Sequence, residues 1–448
     1  MKKAPPLKVG GFVKNKLIPV RTKKHPSATP AAFKARARLF SLLEPARPRH
    51  LDRPSLMSSL HGGMARMLFT VPSWVFFPNA PGVSPEDSQL IQLGVQVFEH
   101  ILTTLPSTCR ITLLTNQATQ QLAQGWLSDL GLLARSEIVA AEDTVNFSFW
   151  AQDAYCICKD MADDETYFVE PASFTRLDDA YVADVVAEQS DLESTQIPLV
   201  YQGGNVLTGD DFWFIGADYP LSSLELGLVV PKRGETDAEA LARVYGSLME
   251  RERELVFIGS TVPVPPQEER PFRLKGEMWR EVLYKGNSEG TVQPIFHIDM
   301  FISLAGRDTQ GKYRVLVGSP QMAADLLGEE LPDGAMQDAF DNIARGLSRR
   351  GFTVIRNPLP LIYDDDDTEK VRVWYFASGN NVLCQDNPKK VWIPTYGHGD
   401  WAKLSKIDRE NAKIWNSLGY GVKLLPNCHI FAAKLGAAHC ITKCLARQ

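Results

Sequence analysis

One short pattern occurs twice in the chain, as Gly203-Gly204-Asn205-Val206-Leu207 and as Gly379-Asn380-Asn381-Val382-Leu383, each a small and polar interruption on an apolar, β-like run. Three further stretches have the same character: Trp150-Ala151-Gln152-Asp153-Ala154-Tyr155, Phe296-His297-Ile298-Asp299-Met300-Phe301 and His439-Cys440-Ile441-Thr442. Repetition constrains a fold more than local propensity does, because a supersecondary unit used five times must stack or close to bury its apolar faces. A radial array would place the interruptions at 153, 205, 299, 380 and 440 around one central cavity. Chance likeness of any single pair is the competing reading.

Between these stations, strands and helices alternate. Met67 to Val71 and Trp74 to Phe77 read as strand, and Ser84-Pro85-Glu86-Asp87 opens a helix to about Thr104 with an N-cap hydroxyl, a first-turn proline and acids at the positive dipole end. Arg110 to Thr115 is β-rich, Gln117 to Leu130 helical and Glu137 to Ala141 strand. Thr236-Asp237-Ala238-Glu239 has capping-box spacing and starts a helix to about Arg253, before the strand Leu255 to Ile258. Helices after Ser319-Pro320, over 337–349 and over 402–418, with a strand at Phe352 to Ile355, complete the pattern. Such alternation predicts an α/β fold rather than segregated α+β.

The length of 448 residues allows two or three domains, or one large repetitive unit. An apolar fraction of 44% and a charged fraction of 23% suit a soluble globular protein, and no run reaches the roughly 18 apolar residues of a membrane span. Seven cysteines without a CxxC pair predict a reduced, cytoplasmic setting. The net charge of -5 conceals an asymmetry, since residues 1–66 hold 15 Lys and Arg against two acids. The expected division is therefore a basic, Pro-rich, disordered tail over 1–66 and a catalytic body over 67–448. Within the tail, Phe33 to Phe40 with Leu42-Leu43 could form a basic amphipathic helix for an anionic partner or membrane surface. The Arg-rich composition is equally that of an export or organelle-targeting segment, and Met57, Met64 or Met67 are alternative starts. Gly-rich phosphate loops of the Walker or dinucleotide type are absent, and nucleic-acid binding would rest on the basic tail alone, so no specific nucleic-acid binding is expected.

Cys440 stands near the end of the sequence, and alone it reads as a packing residue. A thiol nucleophile needs a base, which a carboxylate-oriented imidazole supplies. In His297-Ile298-Asp299, strand alternation would put imidazole and carboxylate on one face, although a core His beside a surface Asp is the plain alternative. Asp153 near Trp150 pairs a carboxylate with an aromatic wall, the combination that grips a planar cation; a core Trp and a turn Asp would look the same. Two acids are redundant for activating a thiol but suit a guanidinium, whose five donors pair bidentately with carboxylates.

Taken in order, Trp150-x-Gln152-Asp153, His297-x-Asp299, Tyr375-Phe376-x-x-x-Asn380-x-Val382-Leu383 and Gly436-x-x-His439-Cys440-Ile441-Thr442 resemble the guanidine-modifying (pentein) superfamily. Within it, the sequence is similar to agmatine deiminases and to the catalytic domain of protein-arginine deiminases over residues 67–448. The resemblance implies a five-bladed ββαβ propeller with pseudo-fivefold symmetry and a central active-site cavity. It implies Cys440 as nucleophile, His297 as general acid/base, Asp153 and Asp299 as a guanidinium clamp, and substrate contacts from Trp150, Gln152, Gly204, Asn205 and Asn380. The implied reaction is hydrolysis of a guanidino group through a Cys thiouronium, giving a citrulline-like product and ammonia without metal or organic cofactor. The substrate would be peptidyl-arginine or a small guanidine such as agmatine or arginine. Amidinotransfer on the same scaffold, and mere binding of arginine or a partner, are the alternatives.

The sequence departs from the family pattern at two places. Gln202 stands where small-molecule members commonly carry Glu beside the catalytic His, and Phe296 stands where Gly is usual before the HxD motif. Gln152, in place of the Arg of agmatine deiminases, tilts the expected substrate toward arginyl side chains. The run Asp364-Asp365-Asp366-Asp367 matches no dedicated calcium loop and reads as a solvated acidic loop. Cys156 and Cys158 read as core, and Cys444 as a thiol able to resolve an oxidised Cys440.

Overall fold

The computed structural model describes residues 51–448. It is a mixed α/β structure of six small sheets, none of them closed on itself. Five of the sheets repeat one wiring. A leading strand pairs antiparallel with the next, and that middle strand then crosses over, through helix, to a parallel third. Val206–Thr208, Phe212–Gly216 and Glu254–Ile258 form one such set, Ile302–Arg307, Tyr313–Ser319 and Thr353–Pro358 another. Leu383–Asp386, Lys389–Thr395 and Gly421–Asn427 form a third, and Cys156–Asp160, Thr166–Glu170 and Glu193–Gln196 a fourth. In the fifth the leading strand, Lys443–Arg447, comes from the other end of the chain and pairs with Met64–Thr70, which runs parallel to Arg110–Asn116. A parallel neighbour cannot be reached by a tight turn, so each crossover carries a helix, for example Pro85–Thr104 or Ser405–Ser417.

Every station runs into a leading strand, with Tyr155 before Cys156, Asn205 before Val206, Phe301 before Ile302, Val382 before Leu383 and Thr442 before Lys443. The repeat in the sequence is thus a repeat of position in the sheets. The sixth sheet, in which Glu277–Leu283 pairs with Glu268–Leu274 and Val371–Phe376, lies outside the scheme.

Most expected elements form where local chemistry placed them. The Pro85–Thr104 helix is capped by the Ser84 side chain, and Thr236 with Glu239 makes both arms of a capping box. Three readings need correction. Trp74 to Phe77 is not strand: Ser73–Phe76 is a 3-10 turn, because Pro72 leads it and the Asn116 side chain takes the Ser73 N–H. His297 to Asp299 is not strand either, since Ile298–Met300 is a 3-10 turn behind an extended His297. The body also begins earlier than residue 67. Pro54–Leu56 pairs with Cys156–Asp160, and Leu51, Leu56, Leu60 and Met64 are buried, so the apolar positions of 51–66 belong to the core. The amphipathic stretch at 33–43 lies outside the described residues. Among those residues, no helix is long and apolar enough to cross a membrane.

Candidate active site

Four of the five stations meet at Cys440, its own included. It is 2% exposed, and with it lie Asp153 at 4%, His297 at 0% and Asp299 at 1%. The Cys440 Sγ stands 3.6 Å from Asp299 Oδ2 and accepts from Asn381 Nδ2 at 3.1 Å. His297 Nδ1 faces Asp153 Oδ1 at 3.8 Å. A 3-10 turn, rather than strand alternation, turns the imidazole and the Asp299 carboxylate into the same region.

Gly204 explains how the imidazole fits. A Cβ there would come 2.6 Å from His297 Nδ1 and 3.1 Å from Asp153 Oδ1, so only a residue without a side chain allows this approach. Gly436 does the same for the wall, since its missing Cβ is what lets the Trp150 ring lie against the loop that carries Cys440. The Phe296 ring lies against that of His297, with centroids 4.2 Å apart and the planes tilted by 41°.

The hydrogen bonds set the protonation logic. His297 Nε2–H donates to Gln202 Oε1 at 2.7 Å, which leaves Nδ1 turned toward Asp153. Burial lowers the His297 pKa, against the opposing pull of Asp153 and Asp299. Burial raises the Cys440 thiol well above its ordinary value, and the negative charges of Asp299 and Asp153 raise it further. Both the thiol and the imidazole are therefore held neutral in the free protein. Three buried polar atoms here have no partner: Asp153 Oδ1, Asp299 Oδ1 and His297 Nδ1. Unpaired buried acceptors are costly and rare in a folded chain, and they mark where a donor-rich ligand would be held.

The opposite oxygens of both carboxylates are occupied. Arg176 Nη2 donates to Asp153 Oδ2 at 2.7 Å, and His439 Nδ1 donates to Asp299 Oδ2 at 2.8 Å. Asn381 Oδ1 accepts the backbone N–H groups of His439 and Cys440, at 2.9 and 3.2 Å. Arg176, His439 and Asn381 had no role in the sequence reading. Asn381 and His439 adjoin residues that did, whereas the exposed-looking loop holding Arg176 gave no signal.

Three expected substrate contacts are turned to other work. Asn205 Nδ2 donates to Gly216 O, and its Oδ1 accepts from Gln293 Nε2 and Ile298 N. Asn380 exchanges hydrogen bonds with Asn357 and donates to Ser303. These two asparagines are matching braces, which is the physical reason for the repeated Gly-Asn station. The Gln152 side chain donates to Gly203 O, at a cavity that it lines together with Lys443 and Arg447. Asp365 pairs with Arg372, and Asp366 accepts two turn N–H groups, so these acids of the 364–367 run are spent locally.

Neither a protein-family model nor a curated protein matches the sequence. Solved structures do. Agmatine deiminase of C. jejuni superposes with a TM-score of 0.55 over 87% of this chain and 95% of its own, at 10% identity. The chain has the fold of an agmatine deiminase. A dimethylarginine dimethylaminohydrolase at 12% identity and an amidinotransferase of Microseira wollei at 13% also align, covering 85% and 90% of this chain and 98% and 97% of theirs, each with a TM-score of 0.39. The likeness to agmatine deiminases read from the motifs is thus a likeness of fold.

Proposed function

We propose that the site binds a guanidinium and displaces one of its nitrogens by attack of the Cys440 thiol. The observation that carries this reading is the set of unpartnered buried atoms, Asp153 Oδ1, Asp299 Oδ1 and His297 Nδ1, beside that thiol. A guanidinium offers planar donors to two carboxylates, and its charge offsets the repulsion that holds the thiol proton on. The likeness to an agmatine deiminase is a supporting analogy of fold. In keeping with it, the five like-wired sheets are read as five blades about a pseudo-fivefold axis.

The chemistry follows from the protonation states. His297 Nδ1 takes the thiol proton as sulfur adds to the guanidinium carbon, and the imidazolium returns that proton to the departing amine. Carbon to sulfur is formed and carbon to nitrogen broken, leaving a thiouronium on Cys440. Water, deprotonated by His297, then adds to that carbon, sulfur leaves as thiol and a ureido product is released. Gln202 accepts from Nε2 but offers the imidazolium no charge, so His297 works as a weaker base than it would beside a carboxylate. The substrate is read as peptidyl-arginine or a small guanidine such as agmatine or arginine. The basic N-terminal segment is read as an address or docking arm for an anionic partner.

Incubation with agmatine, arginine and an arginine-containing peptide, assayed for ureido product and ammonia, tests the reaction. Turnover lost in Cys440→Ala supports it; no turnover of any of the three, or equal turnover in the variant, overturns it. Amidino transfer to an added amine in place of water would move the protein to the transferase class.

A further inference from the structure

The Asp153 carboxylate already holds a guanidinium, that of Arg176. Arg176 sits between two buried carboxylates: Nη2 donates to Asp153 Oδ2 at 2.7 Å, and Nε donates to Asp179 Oδ2. Asp179 is itself fixed, accepting from the Ser148 N–H and, at 2.7 Å, from its hydroxyl. The Arg176 side chain is 36% exposed while that of Asp153 is only 6%. It rests against the Phe174 ring at 5.0 Å, on the segment between Thr166–Glu170 and the Asp179–Tyr181 turn.

We propose that Arg176 is a specificity-determining residue of the guanidine site: Oδ1 of Asp153 is open in the free protein, and Arg176 pivots on Asp179 to release Oδ2 as well, so that both carboxylate oxygens are offered only to a ligand that pairs with them as strongly as a guanidinium does. This rests on the reading of the site given above. Asp179 makes the exchange affordable, because Arg176 keeps one carboxylate partner as it leaves the other and no buried charge is stranded. An incoming guanidinium replaces like with like. An alkylammonium is a point charge without the planar fork, so it gives Asp153 a poorer partner than the one it must expel. The contact thus filters for guanidines over amines before Cys440 is reached.

Calorimetry with propylguanidinium and butylammonium, on Cys440→Ser protein with and without Arg176→Met, reads the filter directly. The expected result is that Arg176→Met tightens both ligands, butylammonium by tenfold or more and propylguanidinium by less, so that discrimination falls. Arg176→Gln, which keeps a polar side chain, is measured alongside in case the Met variant does not fold. If propylguanidinium binds the Arg176-containing protein and the variants bind it more weakly or equally, Arg176 merely positions Asp153 and the filter is overturned. If no protein binds either ligand, the guanidine site itself falls, and the filter with it.

Discussion

Asn381 Nδ2 donates to the Cys440 Sγ across 3.1 Å, while the Oδ1 of the same amide holds the backbone N–H groups of His439 and Cys440. One buried amide therefore fixes both the sulfur and the turn that presents it. Removing it leaves the buried Cys440 N–H short of an acceptor, while the His439 N–H keeps the Asn381 backbone carbonyl at 3.3 Å. Asn381→Ala is expected to lose about 1–3 kcal/mol of stability in urea unfolding. A loss below about 0.5 kcal/mol, the range of an inconsequential surface change, would show that the amide does not hold the turn.

The thiol of the free protein is pushed up first by burial and then by Asp299 and Asp153. The thiolate absorbance of Cys440, taken as the difference from Cys440→Ser, is expected only well above the ordinary value of 9.0. Saturating guanidinium ion adds a positive charge beside the sulfur and moves that titration to lower pH. An unchanged titration would disconnect the thiol from the proposed clamp.

Gln202→Glu puts a carboxylate where the amide now accepts from His297 Nε2. It favours the imidazolium, so the acid limb of kcat/KM moves to higher pH, by about one unit for a buried neighbouring charge. A limb that stays in place would mean that His297 is not the group titrating.

Gly204→Ala drives a methyl toward His297 Nδ1 at 2.6 Å. The imidazole must shift, and activity is expected to fall at least tenfold, with a strain cost of about 1–3 kcal/mol. Full activity with unchanged stability would show that the ring has room to spare.

Legibility in the sequence varied with the range of the interaction. Ser84 and Thr236 announced their helices because a cap is made by residues three positions apart. Cys440, His297, Asp299 and Asp153 were legible because each sits in a short motif at the head of a strand. Asn205 and Asn380 looked like site residues for the same reason, yet Gln293 and Asn357, 88 and 23 residues away, claim their amides. Nothing local distinguishes an asparagine that braces a turn from one that meets a ligand.

The sequence by itself determined the alternation of strands and helices, the five stations and the inventory of thiol, imidazole and carboxylates, since all of these depend on neighbours along the chain. The tertiary structure decided which atoms are left unpaired. Arg176 lies 23 residues from Asp153, His439 lies 140 from Asp299, and Gln202 lies 95 from His297. Those pairings take up Oδ2 of each carboxylate and Nε2 of the imidazole, and they leave Oδ1, Oδ1 and Nδ1 without a hydrogen-bond partner. Hydrogen-bond capacity is a property of the assembled site, because a buried atom is free only when every other group around it has found its partner elsewhere.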